Sequence, residues 1–300
     1  MRFATSFSRT AWDVFATRHP YGWFWHLRSW VDYQVAYRPG SRDESVVALG
    51  DDDELLGIAP IVRGPTGIPS YGGGPHPFPL ATRVGVFQAL VDVVAARGHT
   101  VFADNAFAAA PGSPVVLARH TAVTQGTTAH RVIDLTRLDW STVRKSYHSL
   151  VNGAMKRYRV SFYVGDSPQT QDAFARYQAL HRAVFSSPRP DFTYQAQAKW
   201  LEQDLAAVCL AEDDAGTWAG AYWFIYKGCA YYGSGPSQVR DGAQHAVIWH
   251  SLQSLAADGV KRVDMGAQGS GTTDKERAIE FFKTGFGGED IPVRFAEVTP

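Results

Sequence analysis

The sequence predicts a mixed α/β protein made of two similar domains, and the clearest sign is an internal repeat. The segment Tyr71-Gly-Gly-Gly-Pro75 returns 161 positions later as Tyr232-Gly-Ser-Gly-Pro236. Each copy follows a hairpin-like pair of apolar runs with an acidic turn. Each also precedes a helix-like run and a strand that ends in an acid, Asp104 or Asp264. The repeat length is that of a small domain, which indicates a duplicated unit rather than a chance similarity between turns.

Composition agrees with two cored domains. The chain has 300 residues, of which 45% are hydrophobic and 19% are charged. This is enough for two cores of about 100 to 150 residues each. The formal net charge is zero, so a nucleic acid could bind only to a local basic face. The sequence has no secretory signal pattern and no apolar run of membrane-spanning length. We expect a cytoplasmic monomer with no membrane insertion, no metal and no bound cofactor.

Residue periodicity predicts the elements of the first half. Val84, Phe87, Leu90, Val91 and Val94 fall on one face of a helix. Apolar runs of strand length flank the acidic turn and predict a hairpin. The expected elements are a helix at 11–17, strands at 46–49 and 55–62, a helix at 81–97, a strand at 100–103 and extended segments at 115–122 and 131–135.

The second half shows a similar alternation of helix-like and strand-like runs. Pro188 and Pro190 separate two helices, because a proline breaks a helix interior. The expected elements are helices at 140–158, 169–184, 194–205, 243–258 and 275–283, and strands at 160–164, 207–211, 218–226, 229–233, 261–265 and 293–298. Helices combined with a meander of strands indicate a mixed α/β domain.

Several common active-site patterns are absent from the sequence. It contains no G-x-S-x-G nucleophile elbow, no G-x-x-x-x-G-K-S/T phosphate loop and no H-E-x-x-H zinc helix. The triple glycine at 72–74 lacks the further glycine of a dinucleotide-binding loop. His245 and His250 lie five residues apart, about 140° apart around a helix, so a shared metal ion is not expected.

The most informative segment lies near the C-terminus. Val263-Asp264-Met265-Gly266 is followed by Glu280-Phe281-Phe282-Lys283-Thr284-Gly285-Phe286-Gly287-Gly288. This pattern resembles the Fem family of aminoacyl-tRNA-dependent aminoacyltransferases, whose members carry a D-x-G strand and a helix leading into F-K-x-G-F-G-G. The resemblance extends more loosely through Ile133-Asp134-Leu135 and the basic helix that ends near Lys156.

The resemblance implies two tandem domains of the N-acetyltransferase (GNAT) type, each with a mixed, mostly antiparallel sheet and flanking helices. Residues 1–130 are expected to form a degenerate first domain on the acceptor side. Residues 131–300 are expected to form a second domain that binds the donor and carries catalysis. The internal repeat supports a duplicated fold independently of the resemblance.

The resemblance assigns the main catalytic role to Lys283. Transfer of an aminoacyl group to an amine passes through a tetrahedral intermediate with an oxyanion, which a fixed cation stabilises. Phe281, Phe282 and Phe286 flank this lysine and are expected to keep its surroundings dry. The alternative is an ordinary lysine at a helix end. Asp104 is the second candidate, as a base or an amine-orienting group, and a solvated acid at a strand end is its alternative.

Contacts to the acceptor and to tRNA are implied in the same way. The expected acceptor contacts are Arg189, Tyr194, Tyr231 and Tyr232. Only one of the two adjacent tyrosines can face the acceptor, because neighbouring strand residues point to opposite faces. A basic run is the expected contact for the tRNA acceptor stem, with a solvated helix face as the alternative. Its members are Arg144, Lys145, Lys156, Arg157 and Arg159.

The sequence therefore predicts an aminoacyltransferase that moves an amino acid from aminoacyl-tRNA to the amine of a peptide-like acceptor. The acceptor is a peptide natural-product intermediate, as in antibiotic biosynthesis, or a peptidoglycan precursor. The alternative is an acyl-CoA-dependent N-acyltransferase. The segment 238–246 fits its Q/R-x-x-G-x-G/A loop imperfectly and places Asp241 where a pyrophosphate would be repelled. A non-catalytic binding module is a third alternative, but such a module would have no reason to place Lys283 beside a glycine-rich loop.

Overall fold

The computed structural model describes residues 1–37, 39–64, 78–97, 101–102, 123–186, 189–239, 241–269 and 273–298. The chain divides into two compact units. The first comprises Met1–Thr128 and Pro292–Pro300, and the second comprises Ala129–Ile291. The end of the chain groups with the first unit, whereas the sequence predicts one domain over residues 131–300.

The described part of the first unit consists of short strands and helices. They are β1 (Arg2–Ala4), α1 (Arg9–Arg18), α2 (Arg28–Tyr37), β2 (Arg42–Asp43), β3 (Val46–Leu49), β4 (Leu55–Ala59), β5 (Val62–Arg63), β6 (Leu80–Ala81), α3 (Val84–Ala96) and β7 (Val101–Phe102). Four strands pair antiparallel in the order β1-β3-β4-β6. The predicted apolar face of α3 is buried at Phe87, Leu90, Val91 and Val94. Val84 is exposed because the helix begins there.

The second unit is built on a larger sheet. Its elements in chain order are β8 (Val123–Asp134), α4 (Lys145–Arg157), β9 (Arg159–Val164), α5 (Pro168–Val184), α6 (Asp191–Glu202), β10 (Ala206–Asp213), β11 (Gly216–Tyr226), β12 (Cys229–Ser234), α7 (Ala243–Ala257), β13 (Arg262–Ala267), α8 (Asp274–Thr284) and β14 (Glu289–Val298). Strand β8 belongs to this unit from Ala129 onward, and β14 belongs to it as far as Ile291. Six strands lie in the order β8-β13-β12-β11-β10-β9. All described neighbours are antiparallel except β12 and β13, which are parallel.

Local sequence explains where these elements begin and end. Ser167 caps α5, where the Thr170 backbone N–H donates to its hydroxyl, and Pro168 occupies the first helical position. Thr273 and Glu276 form a reciprocal capping box at the start of α8. The predicted helix over 140–158 is shorter in the structure, because a separate 3₁₀ turn at Trp140–Thr142 precedes α4.

Helices cover the two faces of the second sheet differently. On one face, α4 and α7 pack over a core that includes Trp223, Val263 and Met265. On the other face, α5 and α6 pack on β9, β10 and β11, where Tyr177 meets Tyr222. Further along that second face, β12 and β13 present Tyr231 and Asp264. None of the helices within the described residues has both the length and the apolar character needed to cross a membrane.

Candidate active site

The central feature of the second sheet is an opening between β12 and β13. Their parallel pairing runs from Cys229 beside Arg262 to Tyr231 beside Asp264. Strand β12 then continues to Ser234 and β13 continues to Ala267 with no further described pairing between them. Among the described pairings, the peptide groups beyond this point therefore do not bond each other across the opening.

Lys283 reaches this opening from the last turn of α8. Its Nζ donates to the carbonyl oxygen of Ala267, at 2.9 Å. A Cβ built on Gly266 would lie 3.4 Å from Lys283 Nζ and 3.2 Å from the Tyr231 hydroxyl. Gly266 has a φ of 86°, which suits glycine, and its missing side chain leaves the space that the ammonium and the phenol share.

Two side chains of α4 and its N-cap hold the end of α8 in place. The Arg144 guanidinium stacks on the Phe281 ring at 3.5 Å and donates to the Phe281 carbonyl, at 2.8 Å, and to Thr284 Oγ1, at 3.1 Å. The Tyr147 hydroxyl donates to the Phe281 carbonyl as well, at 3.1 Å. These bonds satisfy carbonyls at a helix end, which lack partners within the helix. Arg144, predicted as a tRNA contact, thus positions the helix that carries Lys283.

A buried acid and histidine lie beside the lysine. Asp264 and His130 are 2% and 6% exposed. His130 Nδ1 lies 2.8 Å from Asp264 Oδ2, and the Gly266 N–H donates to Oδ1 at 2.7 Å. Burial and the Asp264 charge raise the pKa of Tyr231, so its hydroxyl stays protonated. The sequence marks Asp264 as the strand-end acid of the repeat and as the acid of the D-x-G motif, and it gives no signal for His130.

A pocket of about 500 Å³ opens on the other side of the same lysine. Tyr232, Gln244, His245, Phe282 and Lys283 are among its lining residues. The Tyr232 hydroxyl accepts a hydrogen bond from Gln244 Nε2 at 3.3 Å. Burial lowers the pKa of His245 to about 4, so this ring is neutral at neutral pH.

The two predicted tyrosines therefore flank the opening from opposite faces of the sheet. Tyr232 lines the pocket, and Tyr231 lies beside Asp264. Lys283 lines the pocket, and its Nζ and the Tyr231 hydroxyl of the opposite face both border the space beside Gly266.

The N-terminus of α7, which borders the pocket, is already occupied by a carboxylate. The Ala243 N–H donates to Asp241 Oδ1 at 3.2 Å, while Arg157 Nη1 and the Tyr158 hydroxyl both donate to Oδ2 at 2.5 Å. Burial alone would raise the pKa of Asp241, but the bonds from Tyr158, Ala243 and Arg157 lower it below the ordinary value. The helix end that could hold an anion thus carries the chain's own negative charge.

The remaining basic residues are all exposed, and two of them also lie beside an acid. Arg157 binds Asp241, and Arg159 lies 3.7 Å from the buried Glu212. Lys145 and Lys156 are exposed and lie eleven residues apart on α4, which places them about 20° apart around the helix. Helix α4 contains no acid. These two lysines therefore form the exposed basic face of α4.

Arg189 and Tyr194 lie near the start of α6 and do not line this pocket. Tyr194 is 1% exposed, and its hydroxyl lies 2.9 Å from His181 Nδ1 on α5. Burial, followed by the charges of Arg189 and Arg182, lowers the pKa of His181 to about 4. Tyr194 thus packs in the core between α5 and α6, which does not support its predicted contact with the acceptor.

Replacing Tyr194 with phenylalanine should therefore affect stability rather than transfer. Loss of the hydroxyl leaves His181 Nδ1 without this partner in a buried site, and the free energy of unfolding should fall by about 1 to 3 kcal/mol. Denaturant unfolding and steady-state kinetics on the same samples check this. A raised KM for the acceptor with unchanged unfolding would instead identify Tyr194 as an acceptor contact.

Some predicted features lie outside the described residues. These include Asp104, the glycine loop at 71–75 and Pro188. Within the described part of the chain, no group of three or more His, Cys, Asp or Glu residues could hold a metal ion.

Comparison with known proteins establishes the fold. Residues 141–278 match the family model described as "Acetyltransferase (GNAT) domain". The structure of FemX superposes with a TM-score of 0.64 at 13% identity, covering 100% of this chain and 98% of FemX. The C-terminal domain of a protein from Agrobacterium fabrum, described as a lysylphosphatidylglycerol synthetase, gives 0.62 at 12% identity, with 97% and 92% coverage.

A third structure, L-PGS from Bacillus licheniformis, gives a TM-score of 0.57 at 10% identity, covering 97% of this chain and 92% of that one. No curated protein matches the sequence significantly. The predicted fold class, mixed α/β with a GNAT-like fold, is confirmed.

Proposed function

We propose that this chain is an acyltransferase that moves an aminoacyl group from aminoacyl-tRNA to the amine of a peptide-like acceptor and forms an amide bond. The observation that carries the proposal is the ammonium of Lys283 at the opening between β12 and β13, fixed by the Ala267 carbonyl. Attack of an amine on the donor ester produces an oxyanion, and a cation already in place stabilises it without rearrangement.

The surroundings of Lys283 favour this role. Burial lowers the pKa of Lys283, while the charges of Asp264 and Glu280 act in the opposite direction and favour the ammonium. A charge that is partly withdrawn from water attracts a developing oxyanion more strongly than a solvated charge does. The same lysine contacts the pocket on one side and the Tyr231 side of the sheet on the other.

The start of α7 favours tRNA over CoA as the donor. In an acyl-CoA enzyme of this fold, backbone N–H groups at that helix end would hold the pyrophosphate. Here Asp241 accepts from the Ala243 N–H and would repel a pyrophosphate. The exposed basic face of α4, Lys145 and Lys156, offers contacts to the phosphates of a tRNA.

Two similarities bear on the choice between donors. FemX and the lysylphosphatidylglycerol synthetase domain have names that point to aminoacyl transfer, and both match nearly the whole chain in fold. The acetyltransferase match over residues 141–278 instead favours the second candidate, an acyl-CoA-dependent N-acyltransferase. The acceptor is a peptide natural-product intermediate or a peptidoglycan precursor, as the Fem resemblance implies.

Donor binding by this protein should depend on salt if the donor is a tRNA. Each phosphate contact releases counterions, so the two lysines of the α4 face should together contribute roughly 2 to the slope of log K against log salt concentration. The Lys145→Ala/Lys156→Ala variant should therefore bind charged tRNA more weakly and with a flatter salt slope, measured by filter binding at several salt concentrations.

The charge-matched control is Lys199→Ala/Lys261→Ala, which removes two exposed lysines that are not part of α4 and do not line the pocket. It should bind tRNA like the parent. CoA at equal concentration should not compete with tRNA. Tight CoA binding that is insensitive to the α4 substitutions, together with tRNA binding that ignores salt, would favour the acyl-CoA enzyme.

A further inference from the structure

The His130–Asp264 pair has the geometry of a base and its orienting acid. Asp264 uses Oδ1 for the Gly266 N–H and Oδ2 for His130 Nδ1. A carboxylate can only accept hydrogen bonds, so the shared proton sits on Nδ1 and the lone pair of the neutral imidazole is on Nε2. Among the described residues, His130 Nε2 has no hydrogen-bond partner, and that nitrogen can accept a proton.

The pair lies next to the proposed oxyanion contact. His130 on β8 is the cross-strand partner of Ala267, whose carbonyl oxygen holds Lys283 Nζ. Asp264 is the register partner of Tyr231, which lies on the face opposite the pocket. The imidazole, the ammonium and the phenol therefore surround one end of β13, all within the second unit.

We propose that His130 is the general base for the acceptor amine and that Asp264 is its positioning residue. The proposal rests on the acyltransferase function inferred above. It holds for either donor, because an amine must lose a proton in both cases. It places the base on β8 and its positioning acid on β13, independently of Asp104.

With an ester donor, the reaction passes through one tetrahedral intermediate. The amine nitrogen attacks the carbonyl carbon, a C–N bond forms, and the carbonyl electron pair moves to the oxygen beside Lys283. His130 Nε2 takes one proton from the nitrogen. The intermediate then collapses, the bond from carbon to the donor oxygen breaks, and that oxygen takes up a proton, which returns His130 to its neutral form. The products are an amide and a free hydroxyl, with no oxidation or reduction.

His130→Asn is the most informative variant, because its amide nitrogen can still donate to Asp264 from the position of Nδ1, while nothing replaces Nε2. His130→Gln is the second variant, used if the first does not fold by thermal melting. We expect either to lower the rate of amide formation with Nα-acetyl-L-lysinamide by roughly 10²- to 10⁴-fold. Asp264→Asn should lower the same rate, because it no longer enforces the tautomer with a free Nε2.

Transfer to hydroxylamine as the acceptor distinguishes a role of His130 as a base from a purely structural role. The hydroxylamine nitrogen is already unprotonated and strongly nucleophilic at neutral pH, so its reaction depends much less on a base. The donor is charged tRNA or acetyl-CoA, whichever the parent uses. We expect His130→Asn to retain hydroxamate formation above the uncatalysed rate within about tenfold of the parent, while losing transfer to Nα-acetyl-L-lysinamide. The matched control His250→Asn, which changes a histidine that does not line the pocket, should keep both activities.

The possible outcomes distinguish failure of the acyltransferase function from failure of His130 as the base. Parent protein that transfers to neither amine from either donor would overturn the acyltransferase function and the base with it. Parent protein that transfers, with a folded His130→Asn variant equally active on both amines, would overturn the base alone. An equal loss on both amines would also overturn it, since that result assigns His130 to the structure of the site.

Discussion

The Lys283→Met variant is expected to form amide roughly 10²- to 10³-fold more slowly than the parent, a loss of about 2.7 to 4 kcal/mol of transition-state stabilisation. Methionine keeps an unbranched side chain of similar length but removes the charge that would face the oxyanion. Single-turnover rates with saturating donor and acceptor measure this effect. Because Lys283 Nζ bonds only the Ala267 carbonyl among the described contacts, the free energy of unfolding should change by less than about 1.5 kcal/mol.

The pH dependence of transfer gives the same residue a second test. Burial lowers the pKa of Lys283, while Asp264 and Glu280 oppose that shift, and the net direction is downward. The active ammonium is therefore lost as pH rises, and at a lower pH than for an ordinary lysine. Lys283→Arg, which stays charged, should move this alkaline loss of activity to higher pH, even if its overall rate is reduced.

The matched control is Lys199→Ala, which removes an exposed lysine on α6 that does not line the pocket. It should transfer at the parental rate. A Lys283→Met variant as active as the parent would remove Lys283 from the mechanism and leave it as a helix-end lysine.

The Gly285→Ala variant is expected to lose both stability and activity. A Cβ at this position would lie 2.1 Å from Tyr147 Cε2 and 2.4 Å from Cζ, although the backbone conformation there suits any residue. Overpacking of this kind lowers the free energy of unfolding by about 1 to 3 kcal/mol. It would also displace the turn that carries Lys283, and a misplacement near 1 Å can reduce transfer roughly 10²-fold. Denaturant unfolding and single-turnover kinetics measure the two effects.

Removing the Tyr147 ring tests whether its clash with the added Cβ causes the loss of stability. In a Tyr147→Leu background the ring is gone, so adding Gly285→Ala should lower stability little further. Gly85→Ala is the control, since a Cβ on this exposed glycine of α3 meets nothing within 4 Å. It should leave stability unchanged or raise it by up to about 1 kcal/mol. An equal loss of stability from Gly285→Ala in both backgrounds would contradict the account of this glycine.

Much of the fold follows from local sequence signals. Helix α5, predicted at 169–184, spans Pro168–Val184, because its polar cap, proline and apolar spacing all lie within the segment itself. Lys283 could be found for a similar reason, since it belongs to a contiguous motif of aromatic residues and glycines. Its role in transfer stays a prediction, as do the domain roles and the tRNA contacts.

The rest of the site depends on contacts between distant positions. Arg144 bonds the Phe281 carbonyl across 137 positions, and His130 bonds Asp264 across 134. No periodicity or short motif encodes such a pairing. The sequence likewise shows where the charges are but not which groups they bond. The basic run predicts Arg144 as a phosphate contact, whereas in the structure its guanidinium bonds the end of α8.

The aminoacyltransferase function is tested most directly by transfer of a radiolabelled aminoacyl group by the parent protein. The donors are a pool of charged tRNA and, in parallel, labelled acetyl-CoA, and the acceptor is Nα-acetyl-L-lysinamide. We expect labelled amide from charged tRNA, abolished by prior ribonuclease treatment, and no amide above background from acetyl-CoA. Labelled amide from acetyl-CoA and none from charged tRNA would contradict this function and establish the CoA-dependent alternative.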